Sequence, residues 1–175
     1  GEYLGNDLNK ITNELNKLMI IVPENSEISS DIIERNIGIS KDFNNFELTN
    51  ALGQKDILKS NRIATYFANN PKSNPLVVTL GVLFNFFQKV LILHVLKDKS
   101  QRNISLELKI NPYFVKDYQL AAKHYGKRKC MTIISLLREY DMKCKGVDNA
   151  TTPDGELLKE LLYEIKLLNE CPPLF

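Results

Sequence analysis

The segment LVVTLGVLFNFFQKVLILHVLK, Leu76–Lys97, is the most hydrophobic part of this 175-residue chain. Whether it crosses a membrane or forms the centre of a helical core decides the fold. Asn85, Gln88, Lys89 and His94 interrupt it, and no apolar stretch reaches the length a bilayer demands. A helix that is apolar nearly all round then belongs inside a protein. Pro75 opens it, and NNPKSNP (residues 69–75) breaks the helix before it. Phe84, Phe86 and Phe87 are expected to anchor a core around this helix.

Outward from that centre the apolar residues recur at threes and fours, the helical period, and no segment alternates with period two. Toward the amino terminus, Ile57, Leu58, Ile63, Ala64 and Phe67 mark one helix. Phe46, Leu48 and Leu52 mark a shorter one, with Gly53 as its carboxy-terminal glycine. A brief helix is expected from Ser30 to about Asn36, and an amphipathic one over about residues 4–19, carrying Leu8, Ile11, Leu15 and Leu18. Toward the carboxy terminus, Ser100 caps a helix with Ile104, Leu106 and Leu108. Asn111–Pro112 opens the next, which Gly126 stops. A further helix buries Cys130, Ile133, Ile134, Leu137 and Tyr140 and ends at Gly146. The last starts with Thr152 as N-cap and Pro153 at the first helical position, and carries Leu157, Leu158, Leu161, Leu162, Ile165 and Leu168. The fold class is therefore all-α.

With 43% hydrophobic and 25% charged residues, the composition is that of a globular protein. A net charge of only +2 argues mildly against autonomous nucleic-acid binding, which favours a marked basic excess. Cys130, Cys144 and Cys171 are odd in number and have no CxxC spacing, which points to reduced thiols in a cytoplasmic protein. The opening GEYLGNDLNK has no basic region followed by an apolar run, as a signal peptide would. Its abrupt start near a helix suggests a piece of a longer protein.

The residues that could carry chemistry are few. There is no phosphate-binding loop, no HExxH and no GxSxG. His94 lies in the apolar helix, where a hydrogen-bonded core or interface role is expected. His124 sits near a helix carboxy terminus, where partial positive charge suits the dipole. Asp141 and Lys145 are four apart with the acid first, a favourable surface pair worth about 0.2–0.5 kcal/mol. No catalytic, cofactor-binding or metal-binding residue is assigned.

One stretch invites a different function. In LKINPYFVKDYQLAAKHYG (Leu108–Gly126), a helix ends near Lys109 and a second begins at Pro112. The second carries Tyr113, Lys116, Asp117, Gln119 and Lys123, much as a helix-turn-helix begins its recognition helix. Against this, Phe114, Val115, Tyr118, Ala121 and Ala122 suffice for an ordinary core face, and Asp117 would repel phosphate.

Three stretches taken in order, NNFELTNALGQKD (Asn44–Asp56), NPYFVKDYQLAAKHY (Asn111–Tyr125) and LLREYDMKCKG (Leu136–Gly146), resemble the delta subunit of the bacterial DNA polymerase III clamp loader. The variants are similar to those of the Bacteroides group. The opening EYLGNDLNKITNELNKL (Glu2–Leu18) resembles the small helical lid that follows the AAA+-like domain in that family. The resemblance covers nearly the whole chain in order.

The resemblance implies two parts: an AAA+ lid-like helical segment over residues 1–43, complete or not, and a helical collar domain over 44–175. It implies that other clamp-loader subunits are partners through the collar and that DNA is met as part of the assembled complex. The sliding clamp would be met only through an amino-terminal domain outside this chain, and no membrane is involved. Where active AAA+ subunits carry G-x-x-R, the sequence here is Gly5-Asn6-Asp7-Leu8. Leucine cannot donate charge-assisted hydrogen bonds to a γ-phosphate. The expected function is DNA replication, through assembly of the ring that loads the sliding clamp. No active site is expected in this chain, although the whole protein would be a subunit of the DNA-directed polymerase III holoenzyme. The alternative is a helix-turn-helix DNA-binding regulator.

Overall fold

The computed structural model describes residues 8–22, 28, 29, 32, 43–149 and 151–170. Among them are eight α-helices and one 3-10 turn, with no strand. The helices are α1 (Leu8–Ile21), α2 (Asn45–Gln54), α3 (Ile57–Asn69), α4 (Leu76–Val95), α5 (Gln101–Leu108), α6 (Val115–His124), α7 (Lys127–Cys144) and α8 (Asp154–Glu170), with the 3-10 turn at Pro112–Phe114. The all-α expectation holds. The helix expected over Ser30–Asn36 lies outside the described residues apart from Ile32. In α1, Leu18 is buried while Leu8 and Leu15 are exposed, so the stripe of the sequence is only partly covered.

The centre is α4. It packs against α7, α6, α2, α5 and α8, while α3 pairs with α8 and α2 with α6 and α3. Its buried stripe is Leu76, Thr79, Leu80, Leu83, Phe86, Phe87, Val90 and Leu93. By length and composition this 20-residue helix could cross a bilayer, against the expectation that no stretch is long enough. It is instead the helix around which the others gather.

The aromatic expectation needs one correction. Phe87 is 0% exposed and Phe86 7%, but Phe84 is 42% exposed. Phe84 shares its side of the helix with Val77, Gly81 and Gln88, spaced by three or four, and that side faces away from the core. Phe87 meets the Tyr125 ring edge-on at 5.2 Å, and Phe86 lies 5.3 Å from Tyr118.

Helix ends follow local chemistry. Asn44 accepts from the Glu47 N–H at 2.9 Å, and Asp56 accepts from the Lys59 N–H at 2.9 Å, each supplying an acceptor to a free helix amide. Lys59 also pairs with Glu47 across the α2–α3 corner. Gly53 does not end α2; Lys55 does, in the left-handed region with φ 58°. Gly53 instead lies close to α4 and α6: a methyl group there would stand 3.3 Å from Phe86 Cζ, a tight contact, and 3.5 Å from Ala121 Cβ. Of the three expected proline starts, only Asn111–Pro112 keeps its form, with Asn111 Oδ1 accepting from the Tyr113 N–H at 2.9 Å. Pro75 is itself the N-cap of α4. The carbonyl of Pro153 accepts the first amides of α8, from Glu156 and Leu157, one residue later than expected. Gly126 begins α7 rather than stopping α6, which ends at His124 with Tyr125 as cap.

Candidate functional site

The candidate site is a partly apolar surface groove. It lies along the seam of α4 and α7. The outward residues of α4, Val77, Gly81 and Phe84, face Ile134 and Arg138 of α7 across a groove of about 530 Å³. A methyl group at Gly81 would meet nothing within 4 Å, so the missing side chain leaves the groove open. Met131 and Met142 extend the exposed apolar character along α7. Asp141 stands at the rim and is joined to Lys145 at 2.6 Å, as its i, i+4 spacing predicts. An apolar centre with charged groups at its edge is the anatomy of a protein interface.

The helix-turn-helix candidates do not gather on one face. Gln119 and Lys123 line a cleft with Leu93, His94 and Lys99, while Asp117 lines a separate one with Phe46 and Phe114. Lys116 and Tyr113 are exposed, and the Tyr113 ring meets Phe114 edge-on at 5.3 Å. The same helix buries Val115 and Ala121 and packs against both α2 and α4. It is a structural helix of the core, and the regulator alternative is not favoured.

Both histidines are tied to backbone. His94 Nε2 donates to the Tyr125 carbonyl at 2.7 Å, in keeping with a hydrogen-bonded core role, and His124 Nδ1 donates to the Gly53 carbonyl at 2.9 Å. Cys130 is buried and donates its Sγ proton to the same Tyr125 carbonyl at 3.3 Å, while burial pushes its thiol from 9.0 up to about 11. Such a thiol is a poor nucleophile at neutral pH. Cys144 is also free, and Cys171 lies outside the described residues. Among the described residues, no three His, Cys, Asp or Glu side chains could together hold a metal ion.

Sequence reasoning missed the groove because it assigned Phe84 to the core and treated Gly81 as part of a uniformly apolar run. The spacing Val77, Gly81, Phe84, Gln88 was the available signal.

Comparison with known families matches residues 42–166 to the C-terminal domain of the DNA polymerase III delta subunit. The DNA clamp loader delta protein of Bacillus subtilis has a similar solved structure, with a TM-score of 0.61 and 23% identity. The similarity covers 94% of this chain and 47% of that one, so the chain spans about half the length of the Bacillus protein. No curated protein matches. The family match runs from just before α2 through most of α8, well over half of the chain, and this chain belongs to the family of C-terminal domains of the DNA polymerase III delta subunit.

Proposed function

We propose that this chain is the collar, or assembly, part of a clamp-loader delta subunit, with residues 1–43 as the lid-like segment before it. The observation that carries the reading is the family match over residues 42–166, which takes in the helices that build the α4-centred core. In this reading the chain makes and breaks no bond. It holds the clamp-opening domain of the whole protein beside its ATP-hydrolysing neighbours, through buried area and a few anchor side chains. The α4–α7 groove, with Phe84 as anchor, is the face proposed to meet another loader subunit. DNA is met only as part of the assembled complex, the sliding clamp only through the amino-terminal domain, and the setting is the cytoplasm. The Bacteroides-like variants belong to the same reading.

The test is a pull-down of the purified chain against the remaining loader subunits and, separately, against the sliding clamp. Capture of loader subunits without the clamp is expected. Capture of the clamp without any loader subunit would reverse the assignment.

A further inference from the structure

A cavity of about 210 Å³ opens where the corner between α2 and α3 lies against α8. Ala51 and Leu52 of α2, Ile57 of α3, and Leu162 and Ile165 of α8 give it apolar walls. Ile57 and Tyr163, which also line it, keep much of their surface exposed. A cavity of about 150 Å³ already takes a benzene-sized ring, so this one has room for an aromatic side chain. The two helices that meet here run antiparallel. The start of α8, at Gly155, crosses Ala68 near the end of α3, and its later turns, at Leu162 and Lys166, share the cavity with Ile57 at the start of α3. The chain therefore leaves α8 beside the α2–α3 corner.

The residues that follow α8 fit this opening. Residues 171–175 read Cys-Pro-Pro-Leu-Phe and lie outside the described residues. They carry no charged side chain, whereas a solvated tail is typically polar and charged. Two successive prolines cannot continue a helix and favour extended backbone. Leu162 and Lys166 stand about 12 and 6 Å before Glu170 along the helix, and residues 172–175 span about 12 Å when extended, so their length matches the way back to the cavity. We propose that residues 171–175 fold back along α8 as a strap, with the Phe175 ring seated between Ala51, Ile57 and Leu162 and the Leu174 side chain against Tyr163. Tethering holds this tail at an effective concentration of about millimolar, which favours it over a free segment of similar chemistry. The strap ties the end of α8 to the α2–α3 corner. It is separate from the α4–α7 groove and does not depend on the assembly role.

The test is NMR of the full chain with isotope-labelled methyl groups. Cross-relaxation peaks between the Phe175 ring and the methyls of Ala51, Ile57 and Leu162 are expected, unchanged on dilution. Phe175→Ala is expected to remove them and to shift those three methyls while leaving Val77 and Ile134 in the α4–α7 groove in place. It is also expected to lower the melting temperature by about 2–4 °C. Absence of the cross-peaks overturns the proposal, as does a Phe175→Ala protein with the parent's methyl shifts and melting temperature. Cross-peaks that fade on dilution assign the ring to a second copy of the chain. Cavity methyls that show no Phe175 contact and shift only when the remaining loader subunits are added assign the cavity to a partner. Either result overturns the strap.

Discussion

The hydroxyl of Tyr125 donates to the carbonyl oxygen of Leu52 at 2.9 Å, joining the α6–α7 corner to the end of α2 inside the core. The Tyr125 ring is 1% exposed. Its own carbonyl accepts from His94 and Cys130, so one residue links α2, α4, α6 and α7. Tyr125→Phe keeps the ring against Phe87 and removes only the hydroxyl. The Leu52 carbonyl still accepts from the Lys55 amide at 3.0 Å, so it is not orphaned. A loss of about 0.5–1.5 kcal/mol is expected from urea unfolding, and no loss would show that the bond contributes nothing.

Phe84 and Phe87 separate core from surface on one helix. Phe87→Ala is expected to cost about 3–5 kcal/mol. Phe84→Ala is expected to cost less than about 1 kcal/mol, as for a partly exposed side chain outside the core. Equal losses in thermal melts of the two variants would contradict the orientation of α4.

Thr79 and Gly155 test the packing in opposite directions. The Thr79 hydroxyl is fully buried and has no partner. Thr79→Val removes that unmet group at nearly constant shape and is expected to stabilise by about 1 kcal/mol, or about 2–4 °C in melting temperature. At the α3–α8 crossing, a methyl group on Gly155 would stand 2.5 Å from Ala68 Cβ and 2.7 Å from its Cα. Gly155→Ala is expected to destabilise by about 1–3 kcal/mol because backbone must move, despite the better helix propensity of alanine. A more stable Gly155→Ala protein would mean that the two helices do not approach this closely.

Alkali should weaken the fold. The Cys130 thiol is pushed from 9.0 up to about 11 by burial. The Tyr140 hydroxyl is raised by burial first and then by its 2.7 Å bond to the Glu164 carboxylate. For a group with a raised folded-state pKa, the unfolded chain loses its proton first. The stabilisation is therefore complete below the unfolded value and is lost as pH rises through the folded one. For Cys130 the window is pH 9 to about 11. Unfolding free energy should fall across it, and the Cys130→Ala variant should show a shallower fall. Stability that rises with pH in that range would contradict the burial of this thiol.

Much of this architecture was legible because helical period and capping chemistry act locally. The stripes Ile63–Phe67 and Leu157–Ile165 are buried as their spacing predicts, and Ser100 and Asn111 each receive a backbone N–H as caps. What was not legible depends on neighbours distant in sequence. Gly53 looked like a helix stop, but it is a buried residue of α2 packed closely under Phe86 and Ala121, which α4 and α6 bring to it. Phe84 looked like core because the run around it is apolar on every side, and only the placement of α7 decides which side stays open. Asn45 and Lys89, 44 residues apart in sequence, line one cavity only once α2 lies on α4.

The outer face of α4 is the surface through which we propose that this domain joins the loader. The most direct measurement is calorimetric titration of the full chain, and of its Phe84→Asp variant, into the purified remaining loader subunits. Saturable binding by the parent chain is expected, weakened about tenfold or more by Phe84→Asp, with the melting temperature of the variant alone nearly unchanged. Equal affinity for parent and variant would contradict the assigned face, and no binding by either would contradict the assembly role itself.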